Sequence, residues 1–228
     1  MTASSWLGPL DEHGYARVDD LLTDDEAAAL AAAFDDDRRY RSRVQMGRYR
    51  FGEGDYAYFS YPLPAPVERL RRQLYPPLAT VANEWGERLG ADGWRPWPAD
   101  LEGMLARCHE AGQRRPTPLV LRYGPGGYNT LHQDLYGEVA FPLQVVVGLT
   151  EPGVDYTGGE FVLTEQRPRS QTRATALVLR RGQGIAFPNN RRPVRGTRGA
   201  YQVTHRHGAS EVRSGLRVAL GLIFHDAQ

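Results

Sequence analysis

The sequence predicts an α+β fold, in which an N-terminal helical support carries a double-stranded β-helix, or jelly roll. Helical patterns occupy the front half, around residues 23–33, 65–88 and 98–111. Beyond residue 115, short apolar segments alternate with turns rich in Gly, Pro and Arg, which is typical of a β-sandwich or jelly roll. Helices that precede strands in this way are the order expected of an α+β protein.

The front half is expected to begin with a short strand at residues 14–18, followed by a helix. Thr23 is a good N-cap, and the acidic residues after it favour a helix that continues to about Ala33. Residues 65–88 predict two helical pieces separated near Pro76 and Pro77, because proline interrupts a helix. A further helix is expected over residues 98–111.

The second half is expected to supply the strands of the jelly roll. Apolar runs bounded by turn residues predict strands at residues 119–123, 158–163, 176–179, 184–187 and 217–224. A chain of 228 residues is expected to form one domain, 1–228. Within it, residues 1–115 would form the helix-rich support and residues 116–228 the jelly-roll core.

Composition limits where the protein is expected to work. Cys108 is the only cysteine, so no disulfide forms within the chain, which favours a reducing compartment. The sequence has no signal-peptide pattern and no apolar run of the roughly 18 residues that a membrane span needs. We therefore expect a cytoplasmic protein that has no membrane partner.

Charge is strongly polarised along the chain, although the formal net charge is only +1. Residues 1–37 contain ten acidic side chains against Arg17, whereas residues 166–217 contain twelve arginines against Glu211. Such a basic C-terminal half attracts anionic partners. A merely solvated basic face is the alternative interpretation.

The most specific chemical signal is the pair His132 and Asp134, which follows a strand and a Gly/Pro turn. Residues two apart on an extended strand point to the same face, so both side chains can bind one metal ion. A second histidine would complete a set of two histidines and one carboxylate, which leaves positions on iron(II) open for a co-substrate and dioxygen. His205 and His207 both qualify on spacing, because they share one face of a strand.

Two other interpretations of these residues are open at this point. His132 and Asp134 can be a hydrogen-bonded pair at the end of a strand. Alternatively, His205 and His207, with Glu211 downstream, suit a cupin-type metal-binding barrel. A non-catalytic or differently metallated barrel is therefore an alternative to an enzyme.

Both halves of the motif resemble the signature of the Fe(II)/2-oxoglutarate-dependent dioxygenases. Residues 122–134 are similar to the stretch found in the bacterial alkylation-repair enzymes, including the nine-residue step from Tyr123 to His132. His207 is followed ten residues later by Arg217 in a Gly-x-Arg sequence, a step nearer to the prolyl-hydroxylase branch. This step selects His207 over His205 as the third metal ligand.

The resemblance implies iron(II), 2-oxoglutarate and dioxygen as cofactors, and His132, Asp134 and His207 as metal ligands. Hydroxylation of the substrate would be coupled to conversion of 2-oxoglutarate to succinate, and an N-methyl group treated in this way would be lost as formaldehyde. Arg217 would bind the distal carboxylate of 2-oxoglutarate, which matches its planar guanidinium. Tyr123 would be a second donor to that carboxylate, or would simply fill the barrel.

A closer resemblance extends over most of the chain and concerns a bacterial 2-oxoglutarate oxygenase family described as acting on damaged nucleic acid. It rests on six segments, at residues 49–52, 58–64, 112–118, 132–137, 158–165 and 223–226. It implies alkylated nucleic acid or a nucleotide as the partner, with a small-molecule, peptide or amino-acid hydroxylase as the alternative. Leu121 departs from the alkylation-repair enzymes, which commonly carry a polar residue there that contacts the co-substrate.

Substrate contacts are expected from residues 38–61, where arginines are interleaved with aromatic side chains. Guanidinium groups contact phosphates and aromatic rings stack bases in proteins that bind single strands or flipped bases. The edge of a packed sheet with a solvated outer face is the alternative. We expect this segment to form a lid over the metal, with Arg41, Arg43, Arg50, Tyr58 and Phe59 as candidate substrate contacts.

Overall fold

The computed structural model describes residues 5–90, 95–197 and 199–228. The helices are α1 (Leu7–His13), α2 (Asp24–Ala32), α3 (Ala65–Leu89) and α4 (Leu101–Glu110). The strands are β1 (Ala16–Val18), β2 (Tyr40–Gln45), β3 (Gly52–Glu53), β4 (Asp55–Phe59), β5 (Leu119–Tyr123), β6 (Tyr128–His132), β7 (Leu143–Gly148), β8 (Tyr156–Gly158), β9 (Phe161–Gln166), β10 (Arg173–Leu177), β11 (Gly184–Pro188), β12 (Arg191–Gly196), β13 (Gly199–Ala209), β14 (Val212–Gly215) and β15 (Arg217–Leu222). Among these described residues, no helix is both long enough and apolar enough to cross a membrane.

Two antiparallel sheets enclose a cavity and form the predicted jelly roll. The larger sheet has the strand order β1-β11-β7-β15-β5-β4-β2, and the smaller sheet has the order β10-β9-β13-β6-β3, with β12 beside β13. Strands β8 and β14 pair with each other at one end. The predicted α+β fold with a jelly-roll core is confirmed.

One face of the larger sheet packs on the helices and the other faces the cavity, as the central strand β15 illustrates. Val218, Leu220 and Leu222 join the buried core that this sheet forms with the helices. The alternate residues Arg217 and Ala219 face the cavity between the sheets instead. Because side chains of a strand alternate between its two faces, one strand supplies both the core and the site.

Helix α3 is continuous through Pro76 and Pro77, so the predicted break between two helical pieces is wrong. Each proline in a helix interior costs about 3 kcal/mol or more, because it removes a backbone hydrogen bond and crowds the preceding turn. Burial of one side of α3 offsets this cost, since each large apolar side chain contributes roughly 1.5–3 kcal/mol. The buried apolar side chains include Leu70, Leu74, Tyr75, Leu78, Val81 and Trp85.

The predicted strand β1 and the predicted helices α2 and α4 are present in the front half, whereas helix α1 and the strands β2, β3 and β4 were not predicted. Thr23 caps α2, and its side chain and that of Glu26 form a reciprocal capping box. The segment at residues 40–59 also supplies strands: β2 and β4 extend the larger sheet from β5, and β3 pairs with β6 in the smaller sheet. This pairing brings the arginine- and aromatic-rich segment to the mouth of the cavity.

The strand predicted at residues 158–163 is divided in the structure. Gly158 ends β8, and Phe161 begins β9. Gly158 and Gly159 have φ values of 74° and 63°, which belong to the left-handed region and end the extended conformation. Gly159 also leaves room for the side chain of Arg217, because a Cβ at this position would lie only 2.7 Å from Cδ of Arg217.

Candidate active site

Three side chains that can bind a metal meet at the cavity: His132, Asp134 and His207. His132 is the last residue of β6, and it lies directly opposite His207 of β13 in the register of the sheet. Asp134 Oδ2 is 3.2 Å from Nε2 of His207, and Asp134 Oδ1 is 3.5 Å from Nε2 of His132. The structure thus brings together all three residues that the sequence predicts as ligands.

The geometry of this group fits a first-row transition metal. Its donor atoms lie within 4.8 Å of one another, and two neighbouring donors at metal distances of about 2.1 Å would be about 3 Å apart. His132 Nδ1 lies 2.8 Å from the carbonyl oxygen of Thr130. An Nδ1 proton donated to that carbonyl leaves Nε2 with a free lone pair toward the metal position.

The Asp134 carboxylate is held from both sides by hydrogen bonds. The Tyr136 hydroxyl donates to Oδ1 at 2.8 Å, and Gln144 Nε2 donates to Oδ2 at 3.0 Å. Asn189 accepts the Asp134 backbone N–H at 3.2 Å and also accepts a hydrogen bond from Gln144 at 2.9 Å. Such secondary partners orient metal-binding carboxylates.

Electrostatics keep this group in the protonation state that a metal requires. Burial opposes ionisation of Asp134, but the hydrogen bond to His207 and the nearby imidazoles outweigh it, so the pKa of Asp134 lies below its usual value. Burial, reinforced by His132, lowers the pKa of His207. A carboxylate and a neutral imidazole are therefore both available as ligands at neutral pH.

His205 lies outside this group. Its Nε2 accepts a hydrogen bond from Arg192 Nε at 3.2 Å and lies 3.9 Å from a carboxylate oxygen of Glu165. Burial, together with the positive charge of Arg192, lowers the pKa of His205 to about 4. The side chain is therefore a buried neutral member of a separate polar cluster.

Arg217 faces the same cavity, which has a volume of about 250 Å³. Its side chain is almost fully buried, and its guanidinium lies 5.3 Å from the centre of the Tyr123 ring. Among the described residues, no carboxylate lies within ion-pair distance of Arg217, and its Nε has no hydrogen-bond partner. Because a buried charge without a partner is costly, this arrangement favours an anionic ligand.

Tyr123 is the neighbour of Arg217 on the adjacent strand, and it lines the cavity with Asn129. The Tyr123 hydroxyl accepts a hydrogen bond from the Asn129 amide at 3.3 Å. Burial raises the pKa of Tyr123 to about 12, so the hydroxyl keeps its proton and can donate a hydrogen bond to an anion.

The candidate substrate contacts fall into two groups. Tyr58 lines the cavity, as do Tyr56 and Phe51 from the same segment. Phe59 is fully buried in the helical core and stacks on Tyr40. The prediction that Phe59 contacts substrate is therefore wrong, because alternate residues of β4 face opposite sides of the sheet.

The three candidate arginines do not line the cavity wall. Arg41 donates to the carbonyl oxygen of Pro116 at 2.8 Å and lies over the Tyr58 ring. Arg43 pairs with Asp37 and donates to the carbonyl oxygen of Phe34. Arg50 is exposed in the loop between β2 and β3, where it has a left-handed backbone conformation.

The sequence interpretation missed the residues that orient the ligands, above all Tyr136, Gln144 and Asn189. A signal for Gln144 is present, since it is a polar residue inside the otherwise apolar strand β7. A polar side chain that is buried in a sheet needs a hydrogen-bond partner, so its presence in the sequence indicates a specific contact. Tyr136 lies two residues after Asp134, but this spacing does not show that the Tyr136 side chain points back toward the Asp134 carboxylate.

The fold and this site define an oxygenase with a jelly-roll core and a metal site of two histidines and one carboxylate. A model of the protein family described as "Oxygenase, catalysing oxidative methylation of damaged DNA" matches residues 54–227, well over half of the chain. The chain belongs to this family. The predicted oxygenase activity is confirmed by this family, and the three clustered side chains form the ligand set that the predicted iron(II) site requires.

Two relatives from Mycobacterium tuberculosis share much of the chain. They are the uncharacterized proteins Rv2227 of strain H37Rv and MT2286 of strain CDC 1551, each 54% identical over 169 residues. The match covers 74% of this chain and 72% of each relative. Because both relatives are uncharacterized, they bear on ancestry and not on substrate.

Solved structures share the fold at low sequence identity. A prolyl-4-hydroxylase from Pseudomonas putida superposes with a TM-score of 0.55 at 14% identity, covering 96% of each chain. An oxidoreductase of the 2OG-Fe(II) oxygenase family from Burkholderia pseudomallei has a TM-score of 0.55 at 16% identity, covering 100% of this chain and 93% of its own. These likenesses bear on the fold alone.

Proposed function

We propose that this protein is an iron(II)- and 2-oxoglutarate-dependent oxygenase whose metal ligands are His132, Asp134 and His207. One observation carries the proposal: these three side chains face a single cavity together with the buried guanidinium of Arg217, which has no ion-pair partner among the described residues. A metal site alone would suit a cupin-type barrel. The buried guanidinium at the same cavity adds the place for an anionic co-substrate.

The distal carboxylate of 2-oxoglutarate is assigned to Arg217, with Tyr123 as a second donor. The guanidinium is already buried, so it has little hydration to lose when it forms a charge-assisted pair. The Tyr123 hydroxyl can rotate its O–H toward the same carboxylate and donate a hydrogen bond to it. Leu121, at a position where the alkylation-repair enzymes commonly carry a polar residue, lines the cavity and offers the co-substrate an apolar contact.

When bound, iron(II) and 2-oxoglutarate supply the oxidant, so that dioxygen yields one hydroxyl group on the substrate, succinate and carbon dioxide. The residues of the chain position the reactants. Tyr136 and Gln144 fix the Asp134 carboxylate, while Phe161 and Phe187 pack around His207. This apolar packing excludes water from one side of the metal site.

The substrate is proposed to be a damaged, alkylated nucleic acid, in which an oxidised N-methyl group is lost as formaldehyde. The family description, which names damaged DNA, supports this choice. So does the cavity, whose outer wall is aromatic through Phe51, Tyr56 and Tyr58. Aromatic walls of this kind hold bases that have left the helix stack.

Anaerobic titration of the protein with iron(II) and 2-oxoglutarate tests the assignment of the metal and co-substrate. We expect a weak visible metal-to-ligand band in the native protein. His132→Ala, Asp134→Ala and His207→Ala should each abolish the band, whereas His205→Gln should keep it. Loss of the band in folded His205→Gln, or its survival in His207→Ala, would contradict the ligand assignment.

Succinate release tests the substrate separately. Methylated single-stranded oligonucleotides, free amino acids and small metabolites are compared at equal concentration, and formaldehyde is measured in parallel. Stimulation by the methylated oligonucleotides with equal yields of formaldehyde and succinate supports the proposal. Stimulation by an amino acid or metabolite alone would favour a small-molecule hydroxylase on the same scaffold.

A further inference from the structure

Two exposed aromatic rings stack on each other beside the cavity, and Phe51 forms part of the cavity lining. Tyr49 and Phe51 are 60% and 47% exposed, and their rings stack with centres 5.6 Å apart at an angle of 19°. We propose that this pair, the Tyr49/Phe51 platform, stacks a nucleobase next to the damaged base that enters the cavity. The proposal rests on the proposed nucleic-acid function and deepens it.

The platform is tied directly to the metal site through Thr130. The backbone N–H and the hydroxyl of Thr130 both donate to the carbonyl oxygen of Phe51, at 2.9 and 2.8 Å. The carbonyl oxygen of the same Thr130 lies 2.8 Å from Nδ1 of His132. One residue therefore connects the backbone of the platform to a metal ligand, which fixes the distance between them.

The loop that carries the platform is anchored at its base. Met46 is fully buried and bonds through its N–H to the Gly54 carbonyl, while the Phe51 N–H bonds to the Met46 carbonyl. Gly52 pairs with Asn129, and a Cβ there would lie 2.2 Å from the Tyr128 carbonyl oxygen. The rings are therefore held by the backbone, although their faces are exposed.

A nucleobase is the occupant that fits these features best. Stacking on an aromatic face is available to every base, and in proteins that bind single strands it contributes about 1–3 kcal/mol per base. Arg50 lies between the two aromatic residues, is exposed, and has no ion-pair partner among the described residues, so it can meet a phosphate. Arg48 is less available, since it shares a shallow depression with Glu53 and Asp55.

The experiment uses the full-length protein with iron(II) and 2-oxoglutarate under anaerobic conditions, so that no turnover occurs. The probe is a short single-stranded oligodeoxynucleotide with one N-methylated adenine and 2-aminopurine as its neighbour, placed on either side in two versions. Stacking on the protein changes 2-aminopurine fluorescence. The variants are the double substitution Tyr49→Ala/Phe51→Ala, the conservative Tyr49→Phe, and Val178→Ala as a control.

Val178 is a matched control because it is 48% exposed, much like Phe51, and lies outside the cavity lining. We expect the double variant to bind the probe about 5- to 150-fold more weakly, which corresponds to about 1–3 kcal/mol for one stacked base. Its fluorescence response should also be lost. Tyr49→Phe keeps the ring and should bind like the native protein, as should Val178→Ala.

The outcomes separate the platform from the function on which it rests. Native affinity and fluorescence in the double variant would overturn the platform, and the nucleic-acid function would stand if the methylated oligonucleotide still stimulates succinate release. If the native protein neither binds the probe nor responds to it, both proposals fail. The melting temperature and the visible band of each variant establish that the fold and the metal site are intact.

Discussion

The two ends of the cavity hold their side chains in different ways. At the metal end, Asp134 and His207 are buried and each contacts several other side chains, on strands in the middle of the sheets. At the outer end, Tyr49 and Phe51 are exposed, and only the backbone of their loop is fixed. The chemistry is thus preorganised by packing, whereas the substrate surface can adjust its side chains without disturbing the metal site.

This difference separates two kinds of substitution. Changes at the metal end should alter binding of the metal or of 2-oxoglutarate, because those side chains share partners. Changes at the outer end should alter only substrate binding, because Thr130 contacts the Phe51 carbonyl and not its ring. A substitution at the outer end that weakens binding of the metal or of 2-oxoglutarate would show that the two ends are not independent.

The largest effect outside the metal ligands is expected at Arg217. Arg217→Ala removes a charge-assisted contact of roughly 2–4 kcal/mol, so affinity for 2-oxoglutarate should fall about thirty- to a thousand-fold. Lysine should restore part of the loss as a point charge. The measurement is the 2-oxoglutarate dependence of the visible band, with the exposed neighbour Arg213→Ala as control. Unchanged affinity in Arg217→Ala would remove this residue from the site.

A smaller effect is expected from the groups that orient Asp134. Tyr136→Phe and Gln144→Leu each remove one donor to the carboxylate, and substitutions of this kind typically weaken metal affinity about 10- to 100-fold. Metal affinity is measured by titration with Mn(II), followed by the EPR signal of the free ion. Tyr75→Phe is the matched control, since its buried hydroxyl bonds to the Pro98 carbonyl in the helical core. An equal loss of affinity in Tyr75→Phe would show that the effect is not specific to Asp134.

The metal end was predictable from sequence because its residues obey fixed spacings. His132 and Asp134 lie two apart after a strand. The ten-residue step from His207 to Arg217, which comes from the resemblance to the dioxygenase signature, favoured His207 over His205, and the geometry agrees. The outer end was less predictable, because neighbouring residues of β4 face opposite sides of the sheet. Tyr58 lines the cavity and Phe59 fills the core. Alternation along a strand could have separated these two residues, but it does not by itself identify which face is the core.

Some features of the fold and of the site could not be predicted from short segments of the sequence. Pro76 and Pro77 stop most helices, and only tertiary burial along α3 reverses that expectation. Gln144 and Asn189 lie 10 and 55 residues after Asp134, so their contacts depend on the register of β7 and on the turn that follows β11. Long-range pairing of this kind has no signature within a short window of sequence.

The smallest predicted effect concerns the arginines of the front half, and it distinguishes paired from free cations. The guanidinium of Arg43 already contacts Asp37 and the Phe34 carbonyl, so Arg43→Gln should destabilise the fold slightly without changing how oligonucleotide binding depends on salt. Arg50 is exposed and unpaired among the described residues. If it contacts one phosphate of a single strand, Arg50→Gln should reduce the slope of log affinity against log salt by about 0.7. A reduction in Arg43→Gln with none in Arg50→Gln would place the phosphate path on the β2 side of the mouth instead.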